Sequence, residues 1–204
     1  MIAIGRLLTT LLLLTLTLPL PLLADSFDLN VNNKVARFGY SVDNIPAFQG
    51  LGLDFGFLYD DDSNKLAHLG VNVRGENWSR AGSLKVSLET RLYLSDTYVV
   101  DIPPANSSFG ATTRNDTLAS IAIGGQLTLS PMARINLSTT LFYAPKILSF
   151  GDAENLTEAG LRLGYRIIPP ADVYLGYRYV DIDIKERETA RLDEQFHIGF
   201  QYNF

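Results

Sequence analysis

The chain has 204 residues, 47% of them apolar, with a formal net charge of −5, two histidines and no cysteine. The missing cysteines exclude disulfide staples, thiolate chemistry and cysteine metal sites together, and the acidic balance leaves no electrostatic footprint for nucleic acid. The length suits one domain with a substantial core or two small ones, and a low charged fraction beside 16 Gly, 10 Tyr and 11 Phe is ordinary for a β-rich protein.

The first predicted element lies outside the fold. Arg6 is the only charge ahead of L-L-T-T-L-L-L-L-T-L-T-L-P-L-P-L-L-A, which closes on Ala24 before Asp25 opens a polar stretch. Residues 1–24 therefore resemble a secretory signal peptide, although Leu22 stands where a small residue is usual. An uncleaved anchor is the alternative, opposed by the marginal length of the run and by Pro19 and Pro21. No later run is apolar over roughly 18 residues, so no other helix is expected to cross a membrane. Residues 25–204 are left as an exported domain.

From there the chain alternates in the way of half-buried strands. Phe27, Leu29 and Val31 are odd-numbered and Ala36, Phe38, Tyr40 and Val42 even-numbered. A two-residue hairpin at Asn32-Asn33, with Val31 opposite Lys34, would put both sets on one face, since Asn tolerates the left-handed conformation such a turn demands. A bulge would serve as well. Next come Leu51 to Tyr59, Ala67 to Arg74, Leu84 to Leu94, Ala119 to Leu129, Ile135 to Tyr143, Ala159 to Ile167, Val173 to Tyr179 and Phe196 to Phe204. The hairpin gives about ten strands, the bulge about nine.

Short links at Ser130-Pro131-Met132 and Pro169-Pro170 alternate with longer polar ones at Asp60 to Lys65, Asp96 to Asp116, Lys146 to Asn155 and Lys185 to Asp193. If the long links share one end of a barrel, the chain begins and ends at the other, which requires an even number of strands. The ten-strand reading meets that condition.

Alternation alone does not say which face meets lipid. The face opposite the apolar one carries His68, Arg74, Lys85, Glu89, Arg91, Arg162, Arg166 and Arg178, with His197 on the same side of the last strand. That is crowded for a solvent face and suits a small wet lumen in which charges pair. Segments of about ten residues match a tilted strand crossing the hydrocarbon layer. Tyr40, Tyr59, Tyr143, Tyr165, Tyr177, Tyr179 and Tyr202 stand near the ends of apolar faces, as in an aromatic girdle. The expected fold is an all-β, antiparallel, up-and-down transmembrane β-barrel of about ten strands in the bacterial outer membrane.

Inside a bilayer an unpaired sheet edge costs several kcal/mol per peptide group, so the last strand must pair with the first. A terminal aromatic preceded by apolar residues at alternate positions resembles the assembly signal of bacterial outer-membrane proteins. Phe196, Ile198, Phe200, Tyr202 and Phe204 fill its positions, which names the barrel assembly machinery as an expected partner.

T-T-L-F-Y-A-P-K-I-L-S-F, the following A-G-L-R-L-G-Y-R and above all V-Y-L-G-Y-R-Y-V-D-I-D resemble the YfaZ family of bacterial outer-membrane proteins. A fainter likeness runs through L-G-L-D-F-G-F-L-Y-D-D-D and L-G-V-N-V, with the Asp96 to Asp116 segment looking like an insertion. The resemblance implies a small barrel and an outer-membrane location. It supplies no substrate or catalytic set.

An enzyme at the rim needs a base, a nucleophile and an orienting acid within reach of one another. His68 and His197 are the available bases, both expected in the lumen toward the long-link end, and Ser87 or Ser95 with Glu89 or Asp96 could be grouped with them, yet no spacing enforces it. Asp60-Asp61-Asp62 with Asn64 lacks the glycine and distal glutamate of a calcium loop and reads as a hydrophilic hairpin tip. The tripeptides N-W-S, N-S-S, N-D-T, N-L-S and N-L-T match the glycosylation acceptor pattern by chance. The sequence thus points to a monomeric barrel among outer-membrane lipid and lipopolysaccharide, with no cofactor, metal or catalysis. Its role is structural or that of a narrow porin-like pore, its lumen largely filled by side chains. The competing readings are a rim enzyme acting on lipid or peptide, and a soluble periplasmic barrel binding a small ligand.

Overall fold

The computed structural model of the chain describes residues 24–43, 45, 48, 50–79, 82–101, 112–184 and 190–204. Nearly all of the expected signal peptide, residues 1–23, lies outside them. The strands are β1 (Ala24–Val31), β2 (Val35–Asp43), β3 (Leu51–Asp60), β4 (Lys65–Ser79), β5 (Gly82–Asp101), β6 (Thr112–Met132), β7 (Ile135–Ala144), β8 (Ser149–Phe150), β9 (Ala153–Ile168), β10 (Ala171–Ile184) and β11 (Ala190–Asn203). All but the short β8 are barrel staves. Each is antiparallel to its neighbours in chain order, β7 pairs directly with β9, and β11 returns to β1 through Phe27↔Tyr202, Leu29↔Phe200 and Val31↔Ile198. Ten staves therefore close into a ring, the arrangement in which strands can pair their backbone groups within a bilayer. A one-turn 3-10 helix, Lys146–Leu148, and β8 form the β7–β9 link, and β8 lies against Ala119 and Ser120 of β6.

The β1–β2 hairpin exists, but one place later than the sequence suggests. Val31 faces Ala36 and Leu29 faces Phe38, so the turn residues are Asn33 and Lys34. No left-handed residue is used there: among the described non-glycine residues only Ser63 has a positive φ, 68°. Asn32 holds the turn instead, its Oδ1 accepting the backbone N–H of Lys34 at 2.8 Å and of Val35 at 2.6 Å, an Asx turn. The register moves by two, so no side chain changes face.

Several links shrink. β5 and β6 stay paired from Ser83↔Ser130 to Asp101↔Thr112, so the expected Asp96 to Asp116 loop reduces to 102–111, outside the described residues. Lys185 to Asp193 reduces likewise to 185–189. The β6–β7 turn falls at residues 133–134, after a register irregularity between Leu129 and Met132 that absorbs Pro131.

The faces follow the predicted alternation. Leu53, Phe55, Phe57, Leu69, Val71, Leu92, Leu127, Leu141, Leu161, Leu163, Leu175 and Ile198 are exposed on the outer wall. Tyr59, Tyr143 and Tyr179 stand toward the long-link end of that wall and Tyr40, Tyr165 and Tyr202 toward the short-turn end. Near the long-link end the chemistry of the two faces inverts while the alternation continues. On β10 the outward series Val173, Leu175, Tyr177, Tyr179 passes to Asp181 and Asp183, and the inward series Asp172, Tyr174, Gly176, Arg178 passes to the buried Val180, Ile182 and Ile184. Leu58, Leu66, Leu118, Phe142, Leu156 and Leu192 join them in one interior apolar cluster with Tyr93. The barrel is thus inside-out over its membrane height and conventional, with an apolar core, above it.

Candidate functional site

Beneath the apolar cluster the interior is polar and hollow. A cavity of about 670 Å³ runs from the short-turn end, where Asp43, Arg74, Glu76, Lys85, Arg166 and Asn203 line it, to a layer containing Arg37, His68, Arg91, Glu158, Arg178 and His197. Exposure marks the open end: the side chains of Lys85 and Arg166 are 58% and 45% exposed, against 7% and 4% for Arg91 and Arg178. The lumen is a vestibule open at the short-turn end and blocked toward the long-link end.

The inner layer is held by charge pairing. Arg91 reaches three carboxylates, Glu89 at 2.7 Å, Asp54 at 3.0 Å and Glu158 at 3.3 Å. Glu158 also receives Arg37 at 3.1 Å and the Tyr93 hydroxyl, which donates at 2.5 Å. On the far wall Arg178 donates to Asp193 at 2.6 Å and to the Asn30 side-chain oxygen at 2.8 Å. Closer to the mouth Arg162 binds Asp28 at 2.9 Å and also Gln201, Arg166 binds Asp172 at 3.1 Å, Lys85 lies 3.6 Å from Glu76, and Arg74 pairs with Asp43. Each cation lining the cavity among the described residues therefore has a carboxylate partner. A charge held in a barrel inside lipid survives only when so compensated.

All nine residues predicted for the lumen line it or its wall: His68, Arg74, Lys85, Arg91, Arg162, Arg166, Arg178 and His197 face the cavity, and Glu89 is buried beside Arg91. The sequence reading omitted Asp28, Arg37, Asp54, Tyr93, Glu158 and Tyr174, which complete the pairing. Their alternation placed them on the same face, and that was the available signal. The same parity turns Val180, Ile182 and Leu156 inward, but it gave no hint that they gather into a plug.

Among the described residues neither histidine is hydrogen-bonded to a serine. His68 Nε2 lies 2.7 Å from Asp54 Oδ1, while the Ser41 hydroxyl donates to Asp54 Oδ2 at 2.7 Å, so serine and histidine share a carboxylate without touching. Ser95 is bonded to Thr97 at 2.7 Å. His197 meets the ring of Tyr174 edge-on with centroids 5.9 Å apart. Asp60 braces its own turn, accepting the backbone and side-chain N–H of Asn64, both at 2.7 Å. The terminal apolar residues Phe196, Ile198, Phe200 and Phe204 are exposed, and Phe204 packs edge-on against Tyr202 at 5.0 Å.

A family model described as YfaZ precursor matches residues 104–204. No curated protein matches the chain. Among solved structures, the NanC porin is 11% identical, with 89% of this chain and all of that one covered and a TM-score of 0.43. The outer membrane channel DcaP of Acinetobacter baumannii is 11% identical over 87% of this chain and 54% of its own, at a TM-score of 0.40. The β domain of the Bordetella autotransporter Brka is 16% identical over 89% and 98%, at 0.39. The ten-stave closure stands on the pairing register of the chain itself. With an apolar belt outside and paired charges inside, the protein is an outer-membrane β-barrel.

Proposed function

We propose that this chain, which belongs to the YfaZ family through residues 104–204, is a small structural or narrow porin-like barrel that stands shut. In outer-membrane barrels short turns face the periplasm and long loops the exterior, so the vestibule opens to the periplasm and the apolar cluster seals the outer end. The observation carrying this reading is that cluster: Leu58, Leu66, Phe142, Leu156, Val180 and Ile182 fill the lumen directly above the Arg91–Glu158 layer. Among the described residues these side chains offer water and ions no polar group to follow.

The barrel sits as a monomer among outer-membrane lipid and lipopolysaccharide, after export by the segment 1–24. Phe196, Ile198, Phe200, Tyr202 and Phe204 serve as its signal to the assembly machinery. The absence of native cysteine makes thiol labelling a clean test of access. In detergent micelles Thr140→Cys, in the vestibule, should react quickly with a small charged thiol reagent, and Ala144→Cys, in the plug, should resist it. Equal protection of both would end the vestibule reading, and equal reactivity the plug. In planar bilayers the wild-type protein should carry no current above the protein-free baseline.

A further inference from the structure

We propose that the vestibule takes a small, uncharged, polyhydroxylated solute of the sugar or polyol class, held against the wall formed by β6 and β7. The proposal rests on the reading of the vestibule as open to solvent at its short-turn end. It comes from how the interior divides chemically.

Every charge pair described above involves staves β1 to β5 or β9 to β11. The remaining wall contributes Gln126, Thr128, Ser130, Asn136, Ser138 and Thr140 to the cavity, none of them ionisable. In register, Gln126 faces Thr140 and Thr128 faces Ser138. Thr128 and Ser138 satisfy each other at 2.9 Å. The side chains of Gln126, Ser130, Asn136 and Thr140 have no side-chain partner among the described residues, and all four are half-buried and so reachable from the cavity.

That division sets the ligand class. An incoming anion meets guanidinium groups whose charge is already neutralised by carboxylates, and an incoming cation meets carboxylates in the same state, so neither finds an uncompensated charge to offset its desolvation. A neutral solute disturbs none of these pairs. Two amides and two hydroxyls supply donors and acceptors together, which suits a ring of hydroxyl groups and not an apolar body. Thr140 also faces Gly160 of β9, so the surface beside it is flat. The cavity volume of about 670 Å³ lies inside the range of about 300–1,000 Å³ typical of small-molecule sites. The ring of Tyr174 is covered by Arg162, whose guanidinium carbon is 3.7 Å from its centre. Hydrogen bonds rather than stacking on Tyr174 therefore carry the binding, and the complex is weak and reversible.

Three probes share one sugar ring and differ in charge: glucose, glucuronate and glucosamine. Titration calorimetry on the full barrel in sugar-free zwitterionic micelles should show glucose binding about tenfold more tightly than either charged analogue. Thr140→Val and Gln126→Leu should each weaken glucose binding by about three- to tenfold, with heat-modifiable gel migration confirming that the barrel still folds. Charged analogues that bind as well as glucose would overturn the proposal, as would glucose binding untouched by both substitutions. If Thr140→Cys is labelled quickly and glucose still fails to bind, this inference falls and the open vestibule stands. If Thr140→Cys is protected, both fall.

Discussion

The guanidinium carbon of Arg91 lies 3.8 Å from the centre of the Phe142 ring, so the charged layer and the apolar plug touch there through a cation–π contact. Arg91 is thereby held on its upper side by a ring and on its other sides by Glu89, Asp54 and Glu158. The boundary between wet and dry lumen is a defined surface one side chain thick.

Glu158 accepts from three side chains at that boundary, Arg37, Arg91 and Tyr93. Glu158→Gln removes its charge and leaves two buried guanidinium groups undercompensated, at a cost of about 3–5 kcal/mol. Tyr93→Phe should cost only about 1–3 kcal/mol, because it deletes a donor and keeps the charges. Urea unfolding of the barrel in lipid vesicles would rank the two, and the reverse order would refute the assignment.

Truncating the plug should open the barrel. Phe142→Ala combined with Leu156→Ala removes two of the large buried side chains above the charged layer. Discrete single-channel steps are expected from the double variant and none from the wild type. Each substitution also creates a cavity worth about 2–5 kcal/mol, so folding should be checked by heat-modifiable migration before recording.

The inversion of face chemistry on β10 and its neighbours marks where the strands leave the hydrocarbon. Leu163→Arg, on the exposed belt, should destabilise the barrel by about 2–4 kcal/mol, whereas Thr157→Arg, further along the outer face of the same strand, should cost about 0–1 kcal/mol. Comparable losses at both sites would mean that the belt extends past Thr157.

Gly56 lies under a histidine: the three atoms nearest to a Cβ built there all belong to the ring of His68. Gly56→Ala should therefore destabilise by about 1–3 kcal/mol, and most of that cost should vanish in a His68→Ala background. A double-mutant cycle with no coupling would show that the backbone, and not the histidine, demands glycine.

Deleting Phe204 should reduce outer-membrane levels far more than removing one exposed terminal residue of a soluble domain would. Normal levels of the truncated chain would remove Phe204 from the assembly signal.

What the sequence made legible was parity, and parity fixes faces. It identified the wall residues Leu53 and Leu163 and the lumenal Arg178 and His197 without any knowledge of neighbours. Register was beyond it, because sliding Val31 from Lys34 to Ala36 leaves every side chain on its original face. The plug was hidden for a different reason. Val180, Ile182 and Ile184 continue the alternation correctly, and only their position above the membrane turns an inward apolar residue from an anomaly into a core. The far end of the β5–β6 ribbon was read as a loop because its sequence, D-T-Y-V-V-D and T-T-R-N-D, does not alternate.

The seam between β1 and β11 runs only from Ser26↔Asn203 to Val31↔Ile198, while β5 and β6 are paired from Ser83↔Ser130 to Asp101↔Thr112. The wall is therefore mechanically uneven around its circumference. Tension applied to the two chain ends would unzip it at the seam long before the opposite side yielded, and closure of that seam, which joins the most distant segments of the chain, is the step with the largest loop-closure cost.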